Sequence, residues 1–177
     1  MSDSSAAEVF DLVDEFDVTA GITTRAAVHG NPALIHRVAH VLVFNDAGEL
    51  YLQKRSSTKD VQPGRWDTSV GGHVDSGESY ERAAAREMRE ELGIQGATLC
   101  FVHKYLHRNG YESEYVCTYQ VIWNAPIAPD PVEIDEGRFW SIGEIFPRLE
   151  SGIFTPNFVD ELNRYFSDPA GARARAL

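Results

Sequence analysis

The sequence predicts an α/β domain in which a mixed β-sheet is packed between helices, and three observations carry that expectation. RVAHVLVFN and ELYLQKR are strand patterns rich in branched apolar residues, separated by Asp46-Ala47-Gly48. Tyr80, Ala84, Met88 and Leu92 recur at fourfold spacing, the stripe of a helix with one buried face. Further strand runs, ATLCFVHKYLHR, EYVCTYQVIW and GRFWSI, precede two more helical signals, so hairpins and helices are mixed along the chain.

The 177 residues are 43% hydrophobic and 24% charged, which suits one globular domain with a substantial core. Residues 8–167 read as that domain, and residues 1–7 and 168–177 (DPAGARARAL) as flexible tails. Sixteen basic against 27 acidic residues give a formal charge of −11. Such a surface repels a phosphate backbone, which excludes a nucleic-acid polymer as partner. A small phosphorylated substrate remains open, provided that a cation or local Lys and Arg neutralise it. No apolar run approaches the roughly 18 residues that span a bilayer, so no membrane partner is expected. MSDSSAAE has neither the basic start nor the apolar middle of a signal peptide. Cys100 and Cys117 sit in apolar strand runs and read as buried, reduced thiols, which points to the cytoplasm. Exposed strand edges allow a homodimer.

Each element has a local signal. VFDLVDEFDVTAGITTR suggests a short hairpin followed by a helical turn around Thr24–His29. Asp46-Ala47-Gly48 is a hairpin signal between the two strongest strands. SSTKDVQPGRW is a long loop punctuated by Pro63-Gly64, with Trp66 as an anchor, and DTSVGGHV a short strand running into glycines. The first long helix is expected from Gly77 to Leu92, stopped by Gly93. Ser141 with Glu144 is a capping box opening a helix to about Leu149. Thr155-Pro156 supplies N-cap and first position for the last helix, NFVDELNRYF.

The glutamates of the long helix need a reason. Glu87, Glu90 and Glu91 stand at i, i+3 and i+4 on nearly one face, where each like-charge pair costs a few tenths of a kcal/mol. Glu78–Arg82 and Arg86–Glu90 are favourable i,i+4 pairs and relieve part of this. Gly71-Gly72, just before the helix, let backbone approach a bound ion, and clustered carboxylates suit a hard divalent cation. Gly72, Glu78, Arg86, Glu87, Met88, Glu90, Glu91, Gly93 and Ile94 match G-x5-E-x7-R-E-U-x-E-E-x-G-U, where U is a bulky aliphatic residue. Seven fixed positions at roughly 7% each recur by chance on the order of once in 10⁸ starts. The stretch resembles the Nudix box without departure, and the strands from about His36 to Ile142 are similar to a Nudix domain.

That resemblance implies an α/β/α Nudix sandwich that hydrolyses a diphosphate joined to another moiety, using Mg²⁺ or Mn²⁺. It assigns metal binding to Glu87 and Glu91, with Glu90 close by and the Gly72 carbonyl as a further ligand. It pairs Arg86 with Glu78 as a brace and takes a glutamate as base. Glu133 and Glu136 are second-rank candidates for a later carboxylate, beside their plain reading as loop charges. Lys54 and Arg55 are candidate phosphate contacts, or ordinary surface residues. The resemblance also leaves substrate choice to Ser56–Trp66, Arg108–Glu114 and the C-terminal helices.

A second set competes. His29, His36 and His73, with Glu112 and Glu114, resemble the metal site of isopentenyl-diphosphate isomerase, itself a Nudix-fold enzyme. Imidazoles suit Zn²⁺ or Mn²⁺ better than Mg²⁺. The isomerase carries a cysteine where this chain has Gly71, which weighs against isomerisation. His40, His103 and His107 need no role beyond hydrogen bonding. A third reading, a Nudix domain that binds a nucleotide-like ligand without cleaving it, is disfavoured because every box glutamate is retained.

Overall fold

A computed structural model of the protein describes residues 8–167; the two tails expected from the sequence lie outside the described residues. The N-terminal segment forms the expected hairpin, β1 (Val9–Val13) and β2 (Thr19–Thr24), followed by one helical turn, α1 (Arg25–Val28). β3 (Ile35–Phe44) is the central strand. It runs parallel to β8 (Ser113–Ile122) over ten register pairs, from Ile35↔Ser113 to Phe44↔Ile122. It pairs antiparallel with the short β6 (Val70–His73) through Ala39↔Gly72 and His40↔Gly71. Beyond β8 lies β7 (Cys100–Arg108). β4 (Leu50–Arg55) pairs with β5 (Trp66–Asp67) and β9 (Ile134–Trp140). The sheet is therefore mixed.

The hairpin expected around Asp46-Ala47-Gly48 forms, with Asn45 N donating to Glu49 O at 3.0 Å, but it is short. β3 and β4 share a single register pair, Phe44↔Leu50, and then part. The turn chemistry is right, but each strand finds its long partners elsewhere in the chain.

Successive residues of a strand face opposite sides of a sheet, and β3 shows what that accomplishes. Ala39, Val41 and Val43 enter one core with Ala83, Ala84, Met88 and Leu92 of α2 (Tyr80–Leu92). Leu42 and Phe44 enter a second core with Phe158, Leu162 and Tyr165 of α4 (Pro156–Ser167). Helices on both faces make the α/β/α sandwich.

α2 starts at Tyr80, three residues later than expected, because the Ser79 hydroxyl caps it by accepting from Arg82 N. Gly93 ends it in the left-handed conformation, φ 69°, and Ile94 N donates back to Met88 O at 3.3 Å. The capping box of Ser141 and Glu144 is present and opens the one-turn α3 (Ile142–Ile145), continued by a 3₁₀ turn at Phe146–Arg148. Thr155 Oγ1 accepts from Phe158 N at 3.2 Å at the start of α4. Cys117 is buried as expected, whereas Cys100, on the outer strand β7, is half-exposed; both thiols are free.

Candidate active site

β6 delivers two glycines to the middle of the sheet, one facing each helix layer. A Cβ at Gly72 would overlap the Glu87 carboxyl group of α2, and a Cβ at Gly71 would press on His40 from the other side. Glu87 thus lies against bare backbone, as the sequence led one to expect of a glycine-to-helix junction.

Arg86 organises that junction. Its Nε and Nη2 donate to the two Glu78 oxygens at 3.2 and 2.9 Å, and Nη2 also donates to His73 O at 2.9 Å. Nη1 donates to Glu87 Oε1 at 2.6 Å and reaches Glu90 Oε2 at 3.4 Å. The fork ties the helix to the loop before it, the bracing geometry that only a guanidinium offers. Against the burial that opposes it, Arg86 holds Glu78 below the usual carboxylate range. Arg86 itself is pushed well above the ordinary arginine value, first by Glu78.

The three box glutamates do not share one environment. Glu87 is half-buried, and burial raises its pKa although Arg86 pulls the other way. Glu91 accepts from Gln53 Nε2 at 3.0 Å and is pushed up to about 8, first by burial and then by the Glu87 charge. Glu90 is half-exposed and bonds Arg89 at 2.9 Å. Two carboxyls that resist ionising beside each other are the electrostatic form of a site completed by a cation. Their ligand atoms are not among those that converge within 4.8 Å of one another in the described residues.

The converging sets are the histidines. His29, His36 and His73 form one such group, and His36, Glu112 and Glu114 another sharing its ring. His29 Nε2 stands 3.3 Å from His73 Nε2, and Arg25 Nη1 3.2 Å from His73 Nδ1. His36 has no exposure, and among the described residues neither ring nitrogen has a hydrogen-bond partner; Glu114 Oε1 is 3.5 Å from Nε2. Phe10 of β1 stacks on the His73 ring at 4.5 Å and covers the group. Burial, then the neighbouring His36 and Arg25 charges, lowers the His73 pKa well below its ordinary value, and burial lowers that of His29. Neutral imidazole is the metal-binding form. Glu112 is pushed up to about 7 by burial and the Glu114 charge. Against its burial, Glu114 is held below the usual range by the surrounding histidines, His36 first and then His40 and His107.

The remaining predicted residues are already engaged. Lys54 faces Glu136 at 3.9 Å across β4 and β9. Arg55 donates to Val61 O at 3.0 Å and to Asp67 Oδ2 at 3.2 Å. Glu133 is paired with Lys59. Sequence reasoning missed Lys59, which pairs with Glu133 and whose charge bears on both Glu91 and His73. It also missed Gln53 and the partnership of His40 with Glu161. Glu161 did carry a signal: a lone acid on the apolar stripe Phe158, Leu162, Tyr165.

With this geometry in hand, comparison with known proteins is direct. A family model for the NUDIX domain matches residues 34–162. An uncharacterized Nudix hydrolase of Pseudomonas aeruginosa is 38% identical over 162 residues, covering 92% of this chain and 95% of the relative. An isopentenyl-diphosphate Delta-isomerase of Streptomyces avermitilis is 30% identical over 166 residues, covering 90% of this chain and 84% of the relative. The crystal structure of DR0079 from Deinococcus radiodurans superposes with a TM-score of 0.78 at 27% identity, covering 89% and 98% of the two chains. The chain belongs to the Nudix family, in a branch whose relatives include both Nudix hydrolases and isopentenyl-diphosphate isomerases. Membership places it among hydrolases of pyrophosphate bonds, which generally use divalent metals. Among the described residues no helix is long and apolar enough to cross a membrane.

Proposed function

We propose that the protein is a Mg²⁺- or Mn²⁺-dependent hydrolase that cleaves the diphosphate bond of a small nucleoside-diphosphate-linked or related molecule. The observation that carries this reading is the seat of Glu87 on Gly72, with Glu91 one turn on and half-buried beside it. Glu87, Glu91 and the Gly72 carbonyl would hold the cation. Bound there, it supplies positive charge to the phosphoryl oxygens where attack by water adds negative charge. Arg86 and Glu78 keep the helix start and the glycine strand in register. Glu90, half-exposed and one turn from Arg86, takes the proton of the attacking water at a carboxylate oxygen. Lys59, with Lys54 and Arg55 on the same strand and loop, supplies cations for the phosphates in an otherwise acidic protein. Glu133 and Glu136 serve to hold these cations in place.

The test is Glu91→Gln. Phosphate release from a panel of nucleoside and sugar diphosphates with Mg²⁺ or Mn²⁺ should fall by at least about a hundredfold; unchanged turnover would remove the metal role of this residue.

One observation favours a second site alongside the first. The buried His36 ring with two unpartnered nitrogens, among His29, His73, Glu112 and Glu114, fits a Zn²⁺ or Mn²⁺ ion. Isomerisation of isopentenyl diphosphate does not follow, since Gly71 offers no thiol. Thermal melts with added Zn²⁺ should rise for the wild type and not for His36→Ala, and no dimethylallyl product should form.

A further inference from the structure

β4 breaks its own apolar pattern at one position, and that position reaches the box helix. Leu50, Tyr51 and Leu52 are all buried, the two leucines in the core with α4 and Tyr51 in the core with α2. Alternation along the strand puts Gln53 on the Tyr51 face, where the pattern calls for another apolar residue. Gln53 is only 6% exposed. Among the described residues its side chain has one hydrogen-bond partner: Nε2 donates to Glu91 Oε2 at 3.0 Å. Its register partner on β9 is Gly137, and the Tyr51 ring lies over that glycine so closely that a Cβ there would collide with the phenol oxygen.

A plain tie between strand and helix is the rival explanation, and two features count against it. The apolar core that joins Ala83, Ala84, Met88 and Leu92 to β3 already anchors α2 to the sheet. Leucine or methionine at position 53 would give equal burial without taking an amide out of water. What the amide offers and a hydrocarbon does not is direction. It holds one oxygen of Glu91, and the other, Oε1, is left to face a ligand. A carboxylate held in this way has already lost the rotamer freedom that cation binding would otherwise have to remove.

We propose that Gln53 is a positioning residue, which by holding Glu91 Oε2 fixes that carboxylate so that Oε1 is presented to the divalent cation at the junction of Gly72 and Glu87. It acts through Glu91 alone and does not touch the substrate. This rests on the reading of the box helix as a cation site for diphosphate cleavage.

The test uses the whole protein with Mn²⁺ as the probe. Gln53→Met keeps the length and burial of the side chain and loses the donor. Titrations with Mn²⁺, read by the EPR signal of the free ion, are run on the wild type, Gln53→Met, Glu91→Gln and the double variant. Binding that disappears in Glu91→Gln belongs to the box helix, which separates it from any ion held by the histidines. Loss of a group that orients a metal ligand typically costs about 10- to 100-fold in affinity, so Gln53→Met should raise the Kd of that site by at least about tenfold. In the Glu91→Gln background the same change should alter Mn²⁺ binding by less than about twofold, because the residue it acts through is gone. Melts in EDTA should stay cooperative for Gln53→Met, whereas a plain tie would show its loss there and leave Mn²⁺ affinity alone. Diphosphate hydrolysis by Gln53→Met should be low at limiting Mn²⁺ and recover when Mn²⁺ is raised above the new Kd. Gln53→Asn, which withdraws the amide by one carbon, should lose affinity in the same direction and serves alone if the methionine variant does not fold. The proposal is overturned if both Gln53 variants bind Mn²⁺ as tightly as the wild type, or if the losses of Gln53→Met and Glu91→Gln add in full. Loss of binding with Glu91→Gln and none with the Gln53 variants removes this inference alone. Unchanged binding in Glu91→Gln removes the cation-site reading and this inference with it.

Discussion

Replacing Gly72 by alanine tests the seat of Glu87 with one methyl group. Gly72 is not among the residues with positive φ, so alanine fits its backbone without strain. The difficulty lies in the added carbon, which overlaps the Glu87 carboxyl group. That group would have to withdraw by about 1.4 Å to reach the ~3.5 Å of ordinary carbon contact. Glu87 would then leave its 2.6 Å bond to Arg86, and with it the position proposed above for holding a cation. A misplacement of about 1 Å costs on the order of a hundredfold in rate, and over-packing about 1–3 kcal/mol in stability. A domain of ordinary stability, about 5–15 kcal/mol, tolerates the second loss and stays folded. Diphosphate hydrolysis with Mn²⁺, measured beside thermal melts, should show kcat down by about a hundredfold in a protein that still unfolds cooperatively. The same change made in a Glu87→Ala background should cost almost nothing more, because the colliding group is gone. Retention of activity within threefold in Gly72→Ala, or additive losses in the double variant, would refute the reasoning.

Two further outcomes concern the scaffold. Met88→Ala removes a side chain with 2% exposure between α2 and the sheet, and should lower stability by about 2–5 kcal/mol, read by urea unfolding, with the m value unchanged. The His40–Glu161 pair should give stability a pH dependence of definite sign. His40 is raised from 6.5 to about 9 by Glu161 against its burial, so its contribution is full below pH 6.5 and is lost as pH rises through about 9. Glu161 is lowered from 4.5 by His40 against its own burial, so its contribution is full above pH 4.5 and is lost as pH falls through the lowered value. The pair is strongest between pH 4.5 and 6.5. The His40 share is up to about 3 kcal/mol, and melts of wild type against His40→Gln between pH 6.5 and 10 should converge as it disappears.

Much of this architecture could be read from local pattern, because local chemistry decides it. The αL glycine after Leu92, the Ser141–Glu144 box and the Thr155-Pro156 start all act within four residues of themselves, and all three appear where expected. The box helix was legible for the same reason: its fixed positions lie within one glycine-to-helix segment. What escaped is set by distant partners. Asp46-Ala47-Gly48 announces a turn but says nothing about β8, which takes the whole length of β3, or β9, which takes β4. The different fates of Glu87, Glu90 and Glu91 depend on Gly72, Gln53 and open solvent rather than on their spacing. Lys59 sits in a loop without periodicity, and only folding brings it to Glu133, 74 positions away. His40 looked like an ordinary strand histidine because its acid is 121 positions away.

The central claim is that Glu87 and Glu91, at the Gly72 backbone, form a divalent-cation site that serves diphosphate cleavage. An anomalous-difference map from crystals of the intact protein grown with Mn²⁺ and a methylene diphosphate analogue addresses it most directly. The account predicts a manganese peak bounded by Glu87, Glu91 and the Gly72 carbonyl, in contact with the analogue's phosphonate oxygens. A map with manganese only among His29, His36 and His73, and none beside the box helix, would contradict it.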